Sequence, residues 1–250
     1  MGLGSEKAMN LVQSARKLLD IKRRFGFKAM LIDAGYKLFE LVLDGKIMVV
    51  LAVRAGDIPP AALANPHGYK VRCLTAGDLA RAARVQPQFC ETAFVSRAQI
   101  DQGDECFAVI DTGKLASTGW YSTHRTPVDD QWAIEFDPRY VYMFKGYTHE
   151  DYRGQALHSL GMSTATVEYG RRGIPAILSV VEANNFASLK SCAKMGYRAS
   201  GWVAACRFLG RSWTWASAGC RPFRFGIVAQ SAGVPVSSIQ VAKPPAAPSA

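Results

Sequence analysis

The chain has 250 residues, 49% hydrophobic and 20% charged, with 30 Lys/Arg against 20 Asp/Glu and a formal net charge of +10. That length suits one large domain with additions, and the composition is that of a globular protein, which excludes a fibrous or wholly disordered chain. No apolar run approaches the roughly 20 residues that a helix needs to cross a bilayer.

The charge is unevenly spread. Residues 1–54 hold ten Lys/Arg and five acids, whereas residues 183–250 hold eight Lys/Arg and no acid. Basic ends of this kind attract phosphate-bearing ligands, an acidic carrier protein, an anionic membrane face or nucleic acid. Over 7–44, Leu11, Ala15, Leu18, Leu19 and Ile21 recur at helical spacing among Arg16, Lys17, Lys22, Arg23 and Arg24. They predict two basic amphipathic helices broken near Gly26, the second covering Lys28 to Leu43 and stopping at Asp44-Gly45. Such helices either add a layer to a core or rest on an anionic membrane surface. Gly45 to Ala55 predicts a short strand, and Pro59-Pro60 through Asn65-Pro66 a connector.

From Tyr69 onward the elements are more regular. Tyr69 to Leu74 predicts a strand, and Thr75 caps a helix with Asp78 in its first turn. A second helix falls within Glu91 to Ile100. Cys106 to Ile110 and Leu115 to Thr123 form a hairpin across Asp-Thr-Gly-Lys, followed by a polar loop over Arg125 to Asp130. Arg139 to His149 is aromatic and β-branched and predicts a strand along which Tyr140, Tyr142, Phe144 and Tyr147 alternate, making one face strongly aromatic. Leu157, Leu160 and Val167 then mark a helix that Gly173 terminates. Pro175 to Ala183 is a near-continuous apolar strand, as expected of one covered on both faces. Asn185 and Ser188 cap a further helix that Gly196 ends. Ala199 to Leu209 and Ser212 to Ser217 make a last hairpin across Gly210-Arg211. The expected division is a basic helical extension with a short strand (1–55), a connector (56–68), a main domain (69–230) and a Pro/Ala/Ser-rich tail, disordered at its end (231–250).

The six cysteines include no C-x-x-C pair and no Cys/His cluster, which argues against structural zinc. They read as reduced cytosolic thiols. Met1 to Asn10 lacks the order of a secretory signal, and Glu6 stands where a myristoylation motif needs Ser or Thr. The expected location is cytoplasmic, with a position peripheral to the inner membrane face as the variant.

The chemistry concentrates between Tyr140 and Tyr197. Arg153 and Gly154 fall on a strand-to-helix turn, which leaves the first helical amides unpaired and aims the positive end of the dipole outward. An anion fits there, typically a phosphate. Strand, anion turn, helix, apolar strand, Asn185, helix and Gly196-Tyr197 follow in an order that resembles the acyl-CoA-binding core of the GNAT superfamily of N-acyltransferases. The resemblance implies an α+β fold, a mixed and mostly antiparallel twisted sheet flanked by helices, with two central parallel strands splaying apart where acyl-CoA enters. It also implies transfer of an acyl group, from acetyl-CoA or another acyl-CoA as co-substrate and without a metal, to the amine of a small molecule such as an amino sugar or amino acid.

Residue by residue, the family's R/Q-x-x-G-x-G/A loop corresponds here to Arg153, Gly154, Gln155, Ala156, Leu157 and His158, which would hold the pyrophosphate through backbone amides. Alanine and histidine stand where glycine is usual. Thr148 precedes the turn, and an amide within Met143 to Tyr147 would face the thioester oxygen. Asn185 matches the family's contact to the pantetheine arm, with Ser188 beside it. Cys192 stands where many members carry a tyrosine that reprotonates the departing thiolate. For the base, Glu135 leads and His149 follows, with Asp137 and His124 behind them. The competing readings are an N-acyl amino acid synthase fed by an acyl carrier protein, and a non-catalytic CoA- or anion-binding module. Weak membrane-surface contact through the basic N-terminal helices is a further expectation. With no helix-turn-helix, zinc-finger or basic-aromatic RNA motif, nucleic acid is not an expected partner. The acceptor, the acyl length and the oligomeric state stay open.

Overall fold

The computed structural model describes residues 17–86, 89 and 103–230. The helix expected within Glu91 to Ile100, the start of the first basic helix and the 231–250 tail lie outside the described residues. Helix α1 (17–25) breaks at Gly26, whose φ of 90° suits glycine, and α2 (Phe27–Leu43) ends at Asp44 in the left-handed region.

Eight strands form the main sheet: β1 (Lys46–Val53), β2 (Lys70–Cys73), β3 (Glu105–Asp111), β4 (Lys114–Ser122), β7 (Val141–Thr148), β8 (Ile177–Glu182), β9 (Arg198–Phe208) and β10 (Arg211–Ala216). Their order is β10-β9-β1-β8-β7-β4-β3-β2. Every neighbouring pair is antiparallel except β7 and β8, which run parallel from Val141↔Ile177 to Met143↔Ser179. This is the mixed, mostly antiparallel sheet that the family resemblance implies. A second sheet of β5 (Thr126–Pro127), β6 (Trp132–Glu135) and β11 (Gly226–Ala229) has the order β11-β6-β5. The polar loop expected over 125–130 therefore contributes a strand, and β6 and β11 are additions that the sequence did not signal.

One expectation is corrected. The strand at 46–53 does not close an N-terminal extension; it is an interior strand, paired with β8 on one side and β9 on the other. The physical reason is visible in Lys-Ile-Met-Val-Val-Leu-Ala-Val, an apolar run with no polar alternation, which is what burial on both faces requires.

The sheet is covered on both sides. On one, α4 (Leu157–Arg171) and α5 (Phe186–Lys194) close a core of Leu51, Val53, Phe107, Tyr121, Met143, Met162, Tyr169 and Met195. On the other, Met48, Val50, Tyr142, Leu178 and Val203 pack against Trp132, Ile134, Phe225 and Ile227 of the small sheet. Helix α3 (Ala76–Val85) begins with the anticipated capping box, Thr75 accepting from the Asp78 amide while the Asp78 carboxylate accepts from the Thr75 amide. In α4 the buried face is Leu157, Leu160, Met162, Ala165 and Tyr169, so Val167 belongs only partly to it.

Candidate active site

The cleft follows from one extra residue. Along the β4–β7 ladder, Trp120 opposes Lys145 but Tyr121 opposes Met143, so β7 carries an additional residue, Phe144, relative to its neighbour. Such a bulge bends the strand that carries it. The parallel pairing to β8 ends at the preceding position, Met143↔Ser179, where the Ser179 hydroxyl donates to the Met143 carbonyl at 3.1 Å. Beyond that point β7 and β8 diverge around a cavity of about 370 Å³.

Two kinds of wall meet in this cavity. Toward α4 and α5 stand Gly146, His158, Met162, Asn185, Ser188 and Cys192; toward the small sheet stand Tyr142, Phe144, Val180, Asp129, Lys46 and Glu182. The first group holds four residues singled out from sequence. Asn185 accepts from the Ser188 amide through Oδ1 at 3.2 Å, capping α5 as anticipated, and its Nδ2 has no partner among the described residues. Cys192 is buried, and that burial pushes its thiol up to about 11. It therefore stays protonated through neutral pH, but it is a weaker acid than a thiol of ordinary pKa, about 8.5, that it would have to reprotonate.

Ahead of the cleft, β7 ends at Thr148, whose hydroxyl lies 2.9 Å from that of Ser117. A single 3₁₀ turn (Glu150–Tyr152) follows, and the Arg153 amide is spent on the Glu150 carbonyl at 3.1 Å. The next five amides, Gly154 to His158, find no acceptor among the described residues, and no side chain caps α4. Gly154 and Ala156 both lie in the left-handed region, at φ 82° and 56°. Alternation of left-handed residues turns successive N–H groups toward one concave side, an anion nest that the helix dipole reinforces. Ala156 is strained there, since a Cβ in the left-handed region costs about 1–2 kcal/mol. Arg153 is exposed next to the nest. The Gln155 side chain accepts from the Tyr69 hydroxyl at 2.8 Å and so braces the turn. Leu157 sends its side chain into a core with Val109, Ala116 and Leu160, leaving only its amide for a ligand.

His158 differs most from its sequence role. Its ring turns away from the nest into the cleft and lies against Gly146, where a Cβ would meet its Cε1. Burial lowers its pKa, so the imidazole is neutral at pH 7.

Neither base preferred from sequence lines the cavity. Glu135 sits at the end of β6, half-exposed, paired with Arg125 at 3.2 Å. His149 stacks on Phe89 with ring centroids 5.9 Å apart and accepts from the Asp151 amide. Asp137 is held at about 2 by Arg139. Two carboxylates do line the cavity: Asp129, which is paired with Lys46, and Glu182, the last residue of β8, whose pKa burial raises. The signal for Glu182 was available: an acid closing an apolar strand three residues before Asn185. Lys46 also lines the cavity, 2.7 Å from Asp129. Among the described residues no three His, Cys, Asp or Glu side chains cluster as metal ligands would.

No protein-family profile and no curated protein sequence matches the chain. Solved structures do resemble it. A GCN5-related N-acetyltransferase from Kribbella flavida matches at 17% identity and a TM-score of 0.44, over 68% of this chain and 61% of its own. One from Sphaerobacter thermophilus matches at 13% and 0.44, over 82% and 59%. A conserved protein of unknown function from Staphylococcus epidermidis matches at 11% and 0.45, over 70% and 65%. In each case the chain spans less than two thirds of the protein it matches.

Proposed function

We propose that this protein is an acyl-CoA-dependent N-acyltransferase. Two features carry the reading: five amides from Gly154 to His158 with no acceptor among the described residues, and a cleft opening where β7 leaves β8, whose lining meets that run at His158. A ligand with a diphosphate at one end and an acyl arm at the other is the chemical class that suits both. The nest and Arg153 bind the diphosphate, and the free Nδ2 of Asn185 donates to an amide oxygen of the arm. A β7 amide facing the reacting carbonyl lowers the barrier by about 3–4 kcal/mol in comparable sites.

For the acceptor, Glu182 replaces Glu135 and His149 as the base. A partly buried carboxylate with a raised pKa takes a proton from an ammonium group more readily than an exposed one. On this reading Cys192, protonated on the opposite wall, returns a proton to the departing thiolate against an unfavourable pKa difference.

The test is thiol release from acetyl-CoA and longer acyl-CoAs over a panel of small amines, alongside calorimetry with CoA. Turnover that Glu182→Gln lowers about a hundredfold while leaving CoA affinity intact supports the assignment. A protein that shows no heat with CoA ends it. The same panel with an acylated carrier protein distinguishes the donor, since the acid-free stretch 183–250 suits an acidic carrier.

A further inference from the structure

The large apolar side chains left outside the core are concentrated on two neighbouring elements. On α2 they are Phe27, Leu31, Ile32, Leu38, Leu41 and Val42; on the β9–β10 hairpin they are Trp202, Phe208, Trp213 and Trp215, and each of these is at least 45% exposed. Register shows that the hairpin set shares one face. Trp213 opposes Cys206 and Trp215 opposes Ala204, and directly opposed residues point the same way, so both indoles join Trp202 and Phe208 on the even-numbered face of β9. Helix α2 packs on β1 and β9, which makes the two sets adjacent. Contiguous exposed apolar surface on this scale marks an interaction face.

The charge around it selects the partner. From Arg198 to Arg224 there are five arginines and no acid, Arg198 and Arg224 pairing with Asp57 and Asp137 and leaving Arg207, Arg211 and Arg221 in excess, and from 17 to 44 six Lys/Arg stand against Asp20, Asp33, Glu40 and Asp44, with Arg24 paired to Asp20 and Lys37 to Asp33. Tryptophans bordered by a net excess of Arg and Lys are the composition of a lipid–water interface. A second copy seated on the same face through a two-fold would set these arginines against themselves. We propose that this face, α2 with the β9–β10 hairpin, docks the protein on an anionic phospholipid surface. The contact is peripheral. Among the described residues no helix is long and apolar enough to cross a membrane. It also brings the lipid close to the cleft, because Phe25 of α1 touches Phe186 at the start of α5, with centroids 5.6 Å apart, and the Asn184 amide of the β8–α5 turn donates to Asp33 of α2 at 3.1 Å.

The experiment is co-sedimentation of the full chain with phosphatidylcholine vesicles, with and without phosphatidylglycerol, at low and high salt, read together with tryptophan emission. Adsorption to the anionic vesicles alone, reversed by salt and accompanied by a blue shift, is expected. Trp213→Ser with Trp215→Ser, and separately Leu38→Ser with Leu41→Ser, should each weaken partitioning by about tenfold or more. All four side chains are exposed, so unfolding midpoints should be retained; if one pair fails to fold, the other still decides. Absence of adsorption at low salt overturns the proposal, as does adsorption indifferent to both pairs. A dimer in light scattering that the Trp pair converts to monomer overturns it in favour of a second copy. None of these outcomes depends on acyl transfer.

Discussion

Replacing Gly146 by alanine separates a packing role from a backbone role. In an ordinary strand that exchange is favourable by about 0.5–1 kcal/mol, because glycine loses more freedom on folding. Here the new methyl would meet His158 Cε1 and lie 2.9 Å from Met143 Cε and 3.1 Å from His158 Nδ1. Carbon contacts settle near 3.5–4.0 Å, so the imidazole has to retreat by roughly 1 Å into the cleft. Overpacking of this kind costs about 1–3 kcal/mol, and it exceeds the gain in backbone entropy. The expected sign is therefore reversed: Gly146→Ala lowers the urea midpoint without changing the m-value, and, on the proposed function, it weakens CoA binding because the ring enters the cavity. In a His158→Ala background the obstruction is gone and the same exchange should be neutral or stabilising. The resulting double-mutant cycle should give a coupling of about 1–3 kcal/mol. A Gly146→Ala protein that is as stable as the parent, or a cycle that is additive, would refute the packing of His158 on β7.

Three further outcomes are expected. Ala156→Gly keeps the amide of the nest and removes the left-handed Cβ, so it should raise the thermal midpoint, by up to about 1 kcal/mol in stability. His158 has its pKa lowered in the folded protein, so the unfolded chain binds its proton first; stability should rise as pH climbs from the folded value to the unfolded one near 6.5 and level off above, and His158→Asn should flatten that segment of a stability-versus-pH curve. Thr75→Ala breaks the capping box of α3 and should cost about 1 kcal/mol in urea unfolding, with CoA affinity unchanged because α3 lies away from the cleft.

The elements that the sequence specified best are those with local causes. Gly173, Gly196 and Gly26 stop helices at φ 85°, 89° and 90°, Asn185 caps α5, and Thr75 with Asp78 caps α3. Each depends on side chains within a few residues. The position of β1 has no such cause, because its partners β8 and β9 lie more than a hundred residues downstream and nothing within 46–53 names them. That Glu135 stays out of the cavity has the same cause. Glu135 is close to β7 in sequence but belongs to the small sheet, whereas Glu182 comes to the cleft on a strand that pairs with β1.

The bulge at Phe144 lies between these cases, and its trace can be read in the aromatic pattern. Tyr140, Tyr142 and Phe144 keep an even phase, yet Tyr147 is odd, so a regular strand would send Tyr142 and Tyr147 to opposite faces. In the structure they share one, Tyr142 opposite Ser122 and Tyr147 opposite Thr118, because the extra residue resets the phase between them. The same reset turns Gly146 to the side of Met143, where α4 brings His158 against it. One inserted residue thus parts β7 from β8, keeps the tyrosines in the core and presents a glycine to the imidazole. A shift in aromatic phase within a strand is the sequence feature from which the cleft itself could have been placed.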